Sequence, residues 1–177
     1  MTTCDFQFWT LIATWLAAIG TLSAVVVSLY VLLTNRKISI AISSEIYQFE
    51  EGNESLIIKV TNTGFRSTVI NNPYCICFQT GRFRSKKYIG IGTNYIDQLN
   101  SSSFPCQLNE GETLNLVINI KNAGENWLQN FKTEYLNGTS LSTLKIVVFP
   151  NVCKPIKKAV GDTIIKELQS VVTKANK

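Results

Sequence analysis

Histidine is missing from all 177 residues, so imidazole serves here neither as general acid or base nor as metal ligand. That excludes hydrolases of the Ser/His/Asp type and zinc enzymes built on histidine. Carboxylates are sparse as well: Asp and Glu total 12 against 17 Lys and Arg, for a net charge of +5. The tightest acidic sets, Glu50 and Glu51 with Glu54, and Glu110 with Glu112, sit beside glycine or asparagine in turn-like sequence. Solvation in a turn accounts for them without a general acid/base pair or a Ca²⁺ loop. A Gly-rich phosphate loop and a nucleophile elbow are both lacking. The five cysteines, Cys4, Cys75, Cys77, Cys106 and Cys153, include no CxxC pair. Cys75 and Cys77 share a face if they lie in one strand, and with Cys106 and Cys153 they form a thiolate set to weigh. Buried small hydrophobes in a reducing compartment are the simpler reading. Neither enzymatic chemistry nor a cofactor or metal is expected.

Charged residues make up only 16% of the chain while hydrophobic ones reach 45%, and the apolar excess is concentrated at one end. From Phe6 to Leu33 no residue is charged. At about 1.5 Å per residue such a helix outreaches the roughly 30 Å hydrocarbon core, and it is apolar all round rather than along one stripe. The preceding MTTCD has no Lys or Arg, unlike a cleavable signal peptide, so the segment reads as an uncleaved signal anchor. Phe6, Phe8 and Trp9 stand at one interface and Tyr30 near the other, and Arg36 and Lys37 follow directly. The positive-inside rule then puts the N-terminus outside and everything after residue 36 in the cytoplasm, on a cell's inner membrane. Gly20, Ala24 and Ser28 recur every fourth residue, with Ala13, Ala17 and Thr21 as a second row. Small residues at that spacing let two helices approach, so the first row is a candidate pairing face.

From Ile38 to about Lys158, short alternating runs bounded by Gly, Asn and Pro predict β-structure. The expected strands are 37–43, 55–64, 67–78 with an interruption near Pro73, 88–92, 104–108, 113–121 and 144–149. Their number and spacing predict an antiparallel β-sandwich. Trp127, Phe131 and Tyr135, joined by Leu128, predict one inserted helix, stopped at Asn137 and Gly138. Ile164, Ile165, Leu168, Val171 and Val172 predict an amphipathic C-terminal helix over 162–175, capped by Asp162. The domain plan is therefore a tail (1–5), an anchor (6–35), a β-domain (36–158) and a terminal helix (159–177).

The span WLAAIGTLSAVVVSLYVLL, its basic stop, the strand and turn KVTNTGFRSTVI and the segment PCQLNEGETLNLVI together resemble small single-span bacterial membrane proteins that carry an immunoglobulin-like sandwich. The resemblance rests on the turn at Asn62, Thr63 and Gly64 and on the turn from Leu108 to Glu112. It implies a mainly β architecture and no reaction.

Two features remain as contact candidates. Arg82, Arg84, Lys86 and Lys87 crowd four positive charges around Phe83. They form an ordinary solvated loop, a contact for anionic lipid or a contact for an acidic partner; nucleic acid is disfavoured for want of a reading motif. The lysine-rich terminal helix either docks on a membrane or partner or covers the domain's own edge. The expected function is a membrane-anchored, non-enzymatic interaction or scaffold module that offers its sandwich to a protein partner or to itself as a homo-oligomer. The alternative is a membrane-acting effector whose anchor oligomerises while the sandwich senses a ligand or partner.

Overall fold

A computed structural model describes residues 3–35, 38–48, 54–81, 85–122, 125–136 and 140–175. The chain divides into two compact units, Met1–Lys37 and Ile38–Lys177. The first is a single helix, α1 (Thr3–Asn35). Within it Gln7–Leu33 is long and apolar enough to cross a membrane, with a mean hydropathy of 2.3. Its hydroxyls bond within the helix: Thr14 donates to the Thr10 carbonyl at 2.8 Å, Ser23 to Ile19 at 2.8 Å and Ser28 to Ala24 at 2.8 Å. Side chains that satisfy themselves on their own backbone are what hydrocarbon requires.

The second unit is built from antiparallel strands. β1 (Ile40–Gln48), β2 (Glu54–Asn62) and β7 (Thr113–Asn119) form a three-stranded sheet in the order β1-β2-β7. β11 (Ile156–Ala159), β10 (Lys145–Val148), β4 (Ile76–Thr80) and β5 (Lys87–Gly90) form a four-stranded sheet in that order. Two small ladders pair β3 (Thr68–Ile70) with β6 (Cys106–Leu108), and β8 (Lys121–Asn122) with β9 (Glu125–Asn126). Alternation decides which side chains turn inward. Leu56, Ile58 and Val60 of β2, and Leu114, Leu116 and Ile118 of β7, meet Ile76, Phe78, Ile146 and Val148 of the other sheet in one hydrophobic core.

Two helices complete that core. α2 (Trp127–Tyr135) starts at Asn126, whose side chain accepts the Gln129 amide, and it buries Trp127, Leu128 and Phe131. Phe131 and Trp127 lie 5.0 and 5.9 Å, centroid to centroid, from Phe78. α3 (Asp162–Ala175) buries Ile164 and Leu168 in the same core. The terminal helix thus covers its own domain with those residues; the side chains of Val171 and Val172 lie outside the described residues.

Several boundaries differ from the sequence-based expectation. The single strand expected over 67–78 is two strands in two different sheets. Pro73 has no N–H for a ladder, and a 3-10 turn, Pro73–Cys75, capped by Asn72, carries the chain across. The first strand runs on to Gln48, because Ser44 and Ile46 continue the inward row of Ile42. β11 was not expected: lysines dominate it, and an edge strand needs no apolar outer face. Asp162 opens α3 as its first residue, while the Gly161 carbonyl accepts the Ile164 and Ile165 amides in the capping position. Tyr135 ends the aromatic stripe of α2 half exposed, its ring centre 6.0 Å from that of Phe131.

Candidate interaction surface

The outer face of the four-stranded sheet has a layered construction that follows from its register. Ala159, Lys145, Gln79 and Tyr88 form one row across the strands, and Lys157, Val147, Cys77 and Gly90 form the next. These residues alternate with Ile146, Phe78 and Ile89, which point into the core. Cys77, Gln79 and Val147 are nevertheless buried, because longer side chains arch over them. Lys157 reaches from β11 to donate to Gln79 Oε1 at 2.7 Å and to the Tyr88 hydroxyl at 3.5 Å. Its ammonium stands 5.7 Å from the Tyr88 ring centre, a cation–π distance. Tyr88 in turn packs edge-on against Phe149 at 5.7 Å. The outer surface of this sheet is therefore basic and aromatic above a dry centre.

The charge pattern agrees. Between Ile76 and Gly90 the charged residues are Arg82, Arg84, Lys86 and Lys87, and between Lys145 and Val160 they are Lys145, Lys154, Lys157 and Lys158. Neither stretch contains an Asp or Glu. The hairpin of the other sheet reverses this, with Glu45, Glu50, Glu51 and Glu54 against Lys59. Folding brings the two basic stretches together, since β10 pairs with β4. A scan along the chain sees the two stretches as separate features and not their union, because more than 50 residues lie between them. Opposite-sign bookkeeping for each predicted hairpin was the signal that would have exposed it.

Lys86 and Lys87 are exposed beside the root of the basic loop; Arg82 and Arg84 lie outside the described residues. The root lies at the end of the strands where Thr80 pairs with Lys87 and Lys145 with Ala159. The same end holds Gly161, whose amide bonds Ser44 Oγ. Ser39 lies at the opposite end, accepting the Thr63 amide at 2.8 Å. In α1, Gly20, Ala24 and Ser28 are exposed, and a Cβ added at Gly20 meets nothing within 4 Å. The Ser28 hydroxyl is already spent on Ala24, so that row offers shape rather than hydrogen bonds.

The cysteines do not form a ligand set. Among the described residues no three Cys, Asp or Glu side chains come together as a metal site would require. Cys75 ends the 3-10 turn and directs its thiol to Asn72 Oδ1, whereas Cys77 lies in the following strand beneath Lys157. Burial pushes the Cys77 thiol up to about 11, with the neighbouring Cys75 adding to the rise and Lys157 opposing it. Burial also raises Cys106 and Cys153 above the ordinary thiol range. Thiols held protonated are poor nucleophiles.

An open cleft of about 230 Å³ is lined by Pro73, Ile96 and Phe104 together with Thr93, Gln98 and three serines. Two of those serines are engaged elsewhere. Ser101 Oγ accepts the Val117 amide at 2.9 Å, and Ser102 Oγ accepts the Asn115 amide at 3.0 Å. The cleft thus borders a loop that covers the edge of β7, not a convergent polar site.

Comparison with family models, with curated proteins and with solved structures returned no match to this chain.

Proposed function

We propose that this chain is a membrane-anchored, non-enzymatic interaction module that presents the basic outer face of its four-stranded sheet to an acidic protein surface. The carrying observation is that all charges on that sheet and its connections have one sign, beside the half-exposed ring of Tyr88. Electrostatic complementarity of this kind gives partner choice and encounter rate rather than chemistry. The anchor is α1, with the N-terminus outside and the β-domain in the cytoplasm, because Arg36 and Lys37 follow the span. An immunoglobulin-like sandwich is the architecture we assign. Its support is the strand order β1-β2-β7 against β11-β10-β4-β5, which corresponds to A-B-E against G-F-C-C′ of such domains. The pairing of β6 with β3 rather than with β7 departs from that pattern.

A photo-crosslinking amino acid placed at Lys145, and separately at Asn115 on the other sheet, tests the reading in membranes of cells making the full chain. Adducts are expected from position 145 and not from 115. A complete absence of protein adducts at 145 overturns the proposal.

A further inference from the structure

We infer that the acidic group received by this sheet is a phosphomonoester carried by the partner protein, bound between Lys157, Lys145 and the Tyr88 hydroxyl. The inference rests on the reading of the four-stranded sheet as a docking face and names the group which that face recognises.

Lys157 is set in place before any ligand arrives. Its stem crosses from β11 over Val147 of β10, and its ammonium ends 2.7 Å from Gln79 Oε1 of β4 and 3.5 Å from the Tyr88 hydroxyl of β5. Gln79 is only 4% exposed, so its amide oxygen is a fixed acceptor. Tyr88 is steadied in turn by the Phe149 ring. A lysine on an edge strand ordinarily samples many rotamers, and ordering it opposes binding. Here two neighbouring oxygens have already ordered it. Both are neutral, so the ammonium keeps its whole charge and one N–H for a ligand. The Tyr88 hydroxyl accepts from Lys157 and keeps its own proton to donate.

Lys145 brings the second charge. It is the register partner of Gln79 and lies on the same face. Side chains directly opposed across two strands start about 5 Å apart at Cβ, so the Lys145 stem is long enough to bring its ammonium alongside that of Lys157. The floor beneath them, Cys77 and Val147, is buried, and neither basic stretch offers an Asp or Glu to separate the two charges. A phosphomonoester meets this arrangement: it carries about −1.5 to −2 at neutral pH and three acceptor oxygens, against two ammoniums and one hydroxyl. A carboxylate or a phosphodiester brings a single charge. Nucleic acid fits less well for a second reason, since Lys157 stands over the Tyr88 ring and leaves no open face there for a base.

The test holds the full chain in neutral-lipid nanodiscs and titrates it with phenyl phosphate by ligand-observed NMR. Above its second ionisation at about pH 6, phenyl phosphate is expected to bind about tenfold more tightly than benzoate or dimethyl phosphate, and at pH 5 to lose that advantage. Lys157→Gln and Lys145→Gln each weaken it about tenfold and Tyr88→Phe about threefold, whereas Lys166→Gln on α3 leaves it unchanged. Should Lys157→Gln melt early, Lys145→Gln at the exposed start of its strand decides the matter. Benzoate binding as tightly as phenyl phosphate, or both lysine variants of the sheet binding no more weakly than Lys166→Gln, overturns the inference. In membranes, a photo-crosslinking amino acid at Ala159, which is exposed beside Lys145, is expected to give protein adducts that phosphatase treatment before irradiation removes; adducts that survive phosphatase overturn the inference as well. If phenyl phosphate fails these tests while position 145 crosslinks a protein, only the phosphoryl group falls; if position 145 crosslinks nothing, the docking reading falls too.

Discussion

Asn62 shows most directly how one residue organises this domain. It is fully buried, and its amide group is fully used. Nδ2 donates to the Arg66 carbonyl at 2.9 Å and the Leu108 carbonyl at 3.0 Å, while Oδ1 accepts the Gly64 amide at 3.0 Å. The turn after β2 and the turn before β7 are thereby stitched together. Gly111 completes the second turn at φ +78°, where a side chain is strained. Asn62→Ala leaves two buried polar groups, the Leu108 carbonyl and the Gly64 amide, and the more exposed Arg66 carbonyl without this partner, and a loss of about 2 to 4 kcal/mol is expected in denaturant unfolding of the detergent-solubilised chain; a loss below about 1 kcal/mol would show that water replaces the amide. Cys77 supplies a pH signature. Its folded thiol holds its proton up to about 11, above the ordinary 9.0. Between those values the unfolded chain has released a proton that the folded chain keeps, so this contribution to stability is full below pH 9 and fades as pH rises. Between pH 8 and 10 the wild type should lose more thermal stability than Cys77→Ala, and equal losses would contradict the assignment.

At the scale of elements, the sheet edges decide the outcome. β7 is an edge strand whose exposed backbone would otherwise invite pairing, and the loop from Ile96 to Ser102 is laid along it. Asp97 and Ser102 donate their amides to the Val117 and Asn115 carbonyls at 2.9 and 2.8 Å, and the two serine hydroxyls take the facing amides. The loop is held by Asp97, whose carboxylate accepts the Leu99 and Asn100 amides and the Asn100 side chain. Those bonds, the Asn100 side chain first, keep the Asp97 carboxyl below its ordinary range. Ser101→Ala/Ser102→Ala should therefore speed hydrogen exchange at Val117 and Asn115 while leaving β2 protected. Unchanged exchange at both amides would mean that the carbonyl contacts alone hold the loop. None of this was legible beforehand, because a stretch such as DQLNSSS has no periodicity to read and its partners lie about 15 residues away.

At the scale of the whole molecule, the proposed function combines the apolar helix α1 with the distribution of charge. The apolar helix comes first in the chain, the basic pair follows it, and the four-stranded sheet carries lysines without a carboxylate. The topology has a direct check. In a chain with its native cysteines replaced, a Ser85→Cys variant should resist an impermeant thiol reagent in intact cells and a Thr2→Cys variant should react; labelling of Ser85→Cys would place the domain outside. By itself the sequence determined the long apolar helix at the start of the chain, the β-rich character of residues after 38 and the extents of α2 and α3, since each depends on local apolar runs, period-2 alternation or helical spacing. It also contained both turns that Asn62 joins. Only the tertiary structure decided that 67–78 would divide between two sheets, that Lys157 would arch over Cys77, and that two distant basic stretches would join one sheet. Those outcomes depend on which strands pair, and pairing is set by packing between segments far apart in the chain, which no local pattern encodes.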